Sequence, residues 1–183
     1  MRALGPGSVS SFLKVILDVV RWVLLISTGA VSLLILVVLL LSFKPELLAG
    51  MVDLGRWHIR GPWLGPLAAG VLLAGDLYLT GALVIVGRLR RIFQTLIAGD
   101  PFHPENVKRL RIIAGALAAL ELGRYAFIGV AFAISRMLDL DITELDLSGQ
   151  ANLDPWFSVL IIVVLAEVFR EGARLRGEAE LTI

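Results

Sequence analysis

Apolar positions gather into four runs separated by polar segments rich in Gly, Pro and charge. The first, Trp22 to Phe43, has no charged residue in 22 positions. That is enough to cross about 30 Å of hydrocarbon at about 1.5 Å per residue. Before it, Phe12, Val15, Ile16 and Val19 alternate at helical spacing with Lys14, Asp18 and Arg21, so the helix begins near Ser11 with a wet first stretch at the membrane surface. The apolar core is too long for a signal peptide, and Ser42-Phe43-Lys44-Pro45 offers no small-residue cleavage site, so the run reads as a retained span. The second run, Trp63 to Val86, lies between Gly61-Pro62 and Gly87-Arg88. The third, Ile112 to Ile134, includes Glu121 and Arg124. The fourth opens at Pro155-Trp156, is uninterrupted through Ala166, and keeps a helical pattern to Leu175. The pattern predicts an all-α polytopic membrane protein of one domain, with spans at about 22–43, 63–86, 112–134 and 156–175.

The connection between the second and third runs has its own periodicity. Leu89, Ile92, Phe93, Leu96 and Ile97 form an apolar stripe, with Arg88, Arg90, Arg91 and Gln94 opposite. It predicts an amphipathic cytoplasmic continuation of helix two that bends along the membrane and ends at Ala98-Gly99. Asp100-Pro101-Phe102 reads as a turn. His103 is placed as an N-cap, with Pro104 and Glu105 in the first turn of helix three. A basic amphipathic segment is suited to anionic membrane lipid, but the preferred reading is a simple positive-inside anchor. Trp57, His58 and Trp63 read as aromatics at the outer interface, and the acidic segment 135–155 as a short solvated turn.

Composition agrees with the membrane reading and narrows the chemistry. Of 183 residues 57% are hydrophobic and only 18% charged, with a mean hydropathy of +0.85. Lys and Arg number 17 against 16 Asp and Glu, so no basic excess points to direct nucleic-acid binding. The absence of Cys removes disulfides and thiolate chemistry, and two His cannot build a multi-histidine metal site. No zincin, nucleophile-elbow or phosphate-loop motif occurs, so neither an enzyme nor a cofactor is expected. Twelve Lys and Arg fall in 1–21, 87–111 and 170–183, against four (Lys44, Arg56, Arg60, Arg136) in the other loops. This asymmetry places both termini and the central loop in the cytoplasm.

Charges inside the spans are costly and therefore informative. Counting along the helices puts Asp76 about 17 Å deep, Glu121 about 15 Å, Arg124 about 20 Å and Glu167 about 12 Å from the cytoplasmic end, with Arg170 shallower. In a structural reading of this polar cluster, Arg124 is a hub pairing with Asp76, Glu121 or Glu167. In a functional one, the surplus carboxylate serves a channel or transporter as a proton or cation site. Small residues at Gly65/Ala69, Ala114/Ala118, Gly115/Ala119 and Gly129/Ala133 permit close helix approach, within the chain or in a homo-oligomer.

Two stretches carry a family resemblance. Gly99-Asp100-Pro101-Phe102, followed by Asn106, Leu110 and Arg111, is one; Ala166 to Leu175 and the ending Glu180-Leu181-Thr182-Ile183 is the other. In these motifs, length and layout the chain resembles the bacterial membrane family known as domain of unknown function 2975. The resemblance implies a four-helix inner-membrane protein without an assigned activity, and suggests a small helix-turn-helix transcription regulator as partner. The expected cytoplasmic interaction surface comprises Arg88, Arg90, Arg91, Phe93, Asp100, Phe102, Asn106, Leu181 and Ile183. Glu171 with Arg174, and Arg174 with Glu178, are spaced to extend the last helix, although Gly172 and Gly177 weaken it. Leu181 and Ile183 are expected to dock on Phe93, Leu96 and Phe102, or on another protein. The favoured function is regulatory or scaffolding, by self-association or a cytoplasmic partner; the alternative is a channel or transporter component.

Overall fold

The computed structural model describes residues 9–44, 64–138 and 153–180, and these form four helices without strands. They are α1 (Val9–Leu41), α2 (Leu64–Ile97), α3 (Pro104–Leu138) and α4 (Asp154–Glu180), of 33, 34, 35 and 27 residues. The first three contain stretches long and apolar enough to cross a membrane: Phe12–Leu41, Gly65–Ile97 and Pro104–Met137. α4 differs for a chemical reason. Its apolar run ends at Ala166, and Glu167, Arg170, Glu171 and Arg174 follow within the same helix. Trp57, His58, the segment 139–152, Leu181 and Ile183 lie outside the described residues.

Local sequence accounts for the helix ends. α2 runs without interruption through the amphipathic stripe to Ile97, and Gly99 takes a φ of +82°. The Gly99 amide donates to the Leu96 carbonyl at 3.1 Å and the Asp100 amide to the Thr95 carbonyl at 3.0 Å. These are the two bonds of a Schellman cap, in which a left-handed residue lets the chain turn back on its last carbonyls. Glycine adopts that conformation without a Cβ penalty. At the start of α3, His103 Nδ1 accepts from the Glu105 amide at 3.2 Å, so the imidazole acts as the expected N-cap. Pro104 occupies the first helical position, where its missing N–H costs nothing.

Contacts divide the chain into two units. The first comprises Met1–Leu25, Gly81–Glu121 and Asn152–Ile183. Its core is Ile92, Leu110, Ile113 and Ala166, with Ile85, Leu89, Leu96, Leu117, Ile162 and Phe169 packed around them. Thus the stripe along the end of α2 is buried against α3 and α4. At Gly81 a methyl would press into the Leu120 side chain, so glycine there allows α2 and α3 to pack closely. The second unit comprises Ile26–Thr80 and Leu122–Ala151. Gly65 lies so close to Ser42 that a methyl group would collide with its side chain, and Ala69, one turn on, is buried. The small pair Gly65/Ala69 therefore works as a close-packing face. Gly115, Ala119, Gly129 and Ala133 are exposed.

Elsewhere the helices turn apolar side chains outward. Trp22 is 67% exposed, Leu77 63% and Ile161 66%. Such surfaces are stable only against lipid, where no hydrophobic penalty attaches to them. The interior is correspondingly small and close-fitting. Ala166, 2% exposed, sits where α4 meets the core. Ala166→Leu is expected to overpack that contact and cost about 1–3 kcal/mol. Ala119→Leu, on an exposed face, should stay within about 0.5 kcal/mol of the parent. Thermal unfolding in detergent compares the two.

Candidate functional site

The densest polar construction lies in the first unit, around the turn from α2 to α3. Asn106, in the first turn and a half of α3, is 0% exposed. Its amide nitrogen donates to Thr95 Oγ1 at 2.7 Å and to the Pro101 carbonyl at 3.0 Å. Thr95 Oγ1 in turn donates to the Ile92 carbonyl at 2.7 Å. Asn106 Oδ1 accepts from Arg109 Nη1 at 2.9 Å. The same Arg109 nitrogen donates to the Arg91 carbonyl at 3.1 Å, while Nη2 pairs with Glu105 at 2.5 Å. One side chain thus joins the end of α2, the turn and the start of α3.

The turn is also tied to α4. Asp100 forms an ion pair with Arg176. The Phe102 ring meets Phe169 with centroids 5.7 Å apart and planes inclined at 56°, a tilted aromatic contact. Gly172 lies directly beneath that ring, where a Cβ would come within 2.5 Å of it. The glycine that weakens α4 as a helix therefore makes room for Phe102. Further along α4, Arg174 pairs with Glu171 at 2.5 Å and with Glu178 at 2.8 Å, as their spacing predicts. Arg90 of α2 pairs with Asp18 of α1.

One sequence expectation requires correction. Asn106 is not part of an exposed interaction surface, because its amide is wholly consumed inside the protein. Glu167 pairs with Arg170 one turn away and lies 4.0 Å from Arg111, which depth counting left aside. Asp76 Oδ2 accepts from Ser32 Oγ at 3.0 Å in the second unit. The Arg124 guanidinium stands 4.6 Å from the centroid of the adjacent Tyr125 ring. Glu121 is buried in the first unit. By unit, Glu121, Glu167 and Arg170 belong to the first, and Asp76 and Arg124 to the second.

Of the remaining surface residues, Arg91 and Phe102 are exposed, while Arg88, Arg90, Phe93 and Asp100 are half-buried. Sequence reading passed over the pairs Asp18–Arg90 and Asp100–Arg176. Helical periodicity relates residues three or four apart, and these partners are 72 and 76 positions apart in sequence. Asn106 did leave a signal, standing two residues inside a helix start where its side chain can reach back to the turn.

Asn106→Leu should take the Asn106 donor from the Pro101 carbonyl and remove one bond each from Thr95 and Arg109. A cost of about 1–3 kcal/mol per buried group left unsatisfied is expected, read as a lowered melting temperature. Thr95→Val, removing one partner only, should cost less. By contrast, a double-mutant cycle on Asp100→Asn and Arg176→Gln should return a coupling of only about 0–1 kcal/mol, because that pair is partly exposed.

A family model described as a protein of unknown function, DUF2975, matches residues 14–183. No curated protein and no solved structure matches the chain. Since the match takes in the α2–α3 turn, α4 and nearly the whole chain, the chain belongs to the DUF2975 family.

Proposed function

We propose that this is a multi-pass protein of the bacterial inner membrane with a regulatory or scaffolding role, exercised through its basic cytoplasmic end and not through catalysis. The observation that carries the reading is the joining of the α2–α3 turn to α4 by Asp100–Arg176 and Phe102–Phe169. Central loop and tail helix, far apart in sequence, thereby form one continuous surface on a rigid base. Arg91 and Phe102 are exposed on it, and Lys108, Arg111 and Arg170 add charge nearby in the same unit. A cationic surface with an aromatic in it suits an acidic protein partner, such as a cytoplasmic transcription regulator, or a second copy of the chain.

Four spans complete the proposal. α4 exposes Phe157, Leu160, Ile161, Val163 and Val164, an apolar face that calls for lipid. Its charged half carries the pairs Glu167–Arg170 and Arg174–Glu171, which lower the cost of lying at the inner interface. An even number of spans, with the charge asymmetry, puts both termini in the cytoplasm.

A second reading rests on a specific feature. Asp76 Oδ1 and Thr28 Oγ1 are buried without a hydrogen-bond partner in the second unit, within the apolar parts of α2 and α1. Unpaired polar oxygens in such a setting are what a channel's proton or cation site requires.

Single cysteines at Ser148 and Gly177 test the topology in intact cells. An impermeant thiol reagent should label position 148 from outside and leave 177 untouched; labelling of 177 contradicts it. Truncation after Gly177 tests the surface. The melt should be unchanged, while proteins that copurify stoichiometrically with the full chain from native membranes are lost. Retention of every partner would exclude the tail beyond Gly177 from the functional surface. Liposomes bearing the parent and Asp76→Asn should show equal, background proton flux; flux abolished by the substitution would favour the channel reading.

A further inference from the structure

A cavity of about 250 Å³ in the first unit is lined by Arg21 of α1 and by Leu83, Val84, Gly87, Arg88, Arg90, Arg91 and Gln94 of α2. Four arginines therefore line one space. Asp18 occupies Arg90. Arg21, Arg88 and Arg91 have no ion-pair partner among the described residues. Like charges gathered without a counter-charge repel one another, and an anion between them reverses the sign of that interaction. Guanidinium presents planar pairs of N–H donors that match the oxygens of a phosphate group.

The position of the cavity along the helices narrows the choice of anion. Arg21 immediately precedes the charge-free run Trp22–Phe43, and Arg88 and Arg91 follow the apolar run that ends at Val86. Both helices thus pass from apolar to basic at the cavity, the level at which lipid phosphates lie. Its lining changes likewise, from Leu83 and Val84 on one side to arginine on the other. Gly87 keeps the space open: a Cβ built there meets nothing within 4 Å.

We propose that this cavity binds the phosphate of an anionic phospholipid, with Arg21, Arg88 and Arg91 donating to its oxygens and the acyl chains lying along Leu83 and Val84. The site is more specific than a basic helix face attracted to a charged membrane. It requires Arg21, which belongs to a different helix, and it requires the opening at Gly87. It is independent of the regulatory reading and of which leaflet the site occupies.

The test uses the full chain in neutral detergent, with melting temperature followed as phosphatidylglycerol, phosphatidylcholine or inorganic phosphate is added. Phosphatidylglycerol should raise the melting temperature of the parent saturably, as a ligand of the folded state must. Phosphatidylcholine and inorganic phosphate at equal concentration should not. In the variant Arg21→Gln/Arg88→Gln/Arg91→Gln the half-saturating lipid concentration should rise by about tenfold or more, as expected when charged hydrogen bonds are lost. Gly87→Leu should fold at least as well as the parent, since leucine favours helix and has room, yet lose the lipid response by filling the cavity. Should the triple variant fail to fold, Gly87→Leu decides. An undiminished lipid response in either variant, or none in the parent, overturns the proposal. A response of the parent to inorganic phosphate equal to that for the lipid would identify free phosphate as the ligand and overturn the lipid assignment.

Discussion

The amide of Asn106 is the interaction on which the first unit depends. It is fully buried, and its three hydrogen bonds reach Thr95, Pro101 and Arg109. A buried amide tolerates few alternative geometries, because any displacement leaves a polar group without either water or a partner. The end of α2 and the start of α3 are consequently held at one angle. The Schellman cap at Gly99 and the His103 cap bring the chain to that point, and Asn106 locks it there. Apolar packing of Ile92 against Leu110 and Ile113 then has a defined register.

This polar lock matters more here than it would in a water-soluble protein. Outward-facing Leu, Val and Ile gain little by moving inward when the surroundings are lipid, so area burial contributes little to holding the helices together. Close contact and hydrogen bonding take its place. Gly65 against Ser42, Gly81 against Leu120 and Gly172 under Phe102 are three places where the absence of a side chain permits such approach. At Gly172 the gain is twofold, since the Phe102–Phe169 contact it admits also brings Asp100 within reach of Arg176. A turn that could have been a passive linker becomes part of the same construction as α4.

The distribution of charge follows the same logic. In the first unit carboxylates are matched to arginines: Asp18 with Arg90, Glu105 with Arg109, Glu167 with Arg170, Glu171 with Arg174. Arg21, Arg88 and Arg91 stand outside this matching and share one cavity. Among the described residues of the second unit, Asp76 accepts a hydrogen bond from a serine hydroxyl. Pairing is the rule near the polar ends of these helices, and its exceptions mark where an external group would contribute most.

Much of the architecture was legible because membrane helices are governed by short-range rules. Hydropathy over about 20 residues, Gly and Pro at helix ends, and i to i+4 charge spacing require no knowledge of neighbours. They locate α1, α2 and α3, the turn at Asp100-Pro101-Phe102, the His103 cap and the pairs around Arg174. α4 marks the margin of this legibility, since Glu167, Arg170 and Glu171 interrupt its apolar run and leave length and composition alone undecided. Contact between helices was not legible. Depth counting gives each charged residue a level in the bilayer, but two residues at similar depth can face different directions. Only tertiary structure decided that Glu167 comes near Arg111, that Asp76 takes Ser32, and that Asn106 turns inward. The physical reason is that a one-dimensional pattern specifies how far along a helix a side chain sits. Which neighbour it meets depends on helix rotation, set by the simultaneous packing of all the faces.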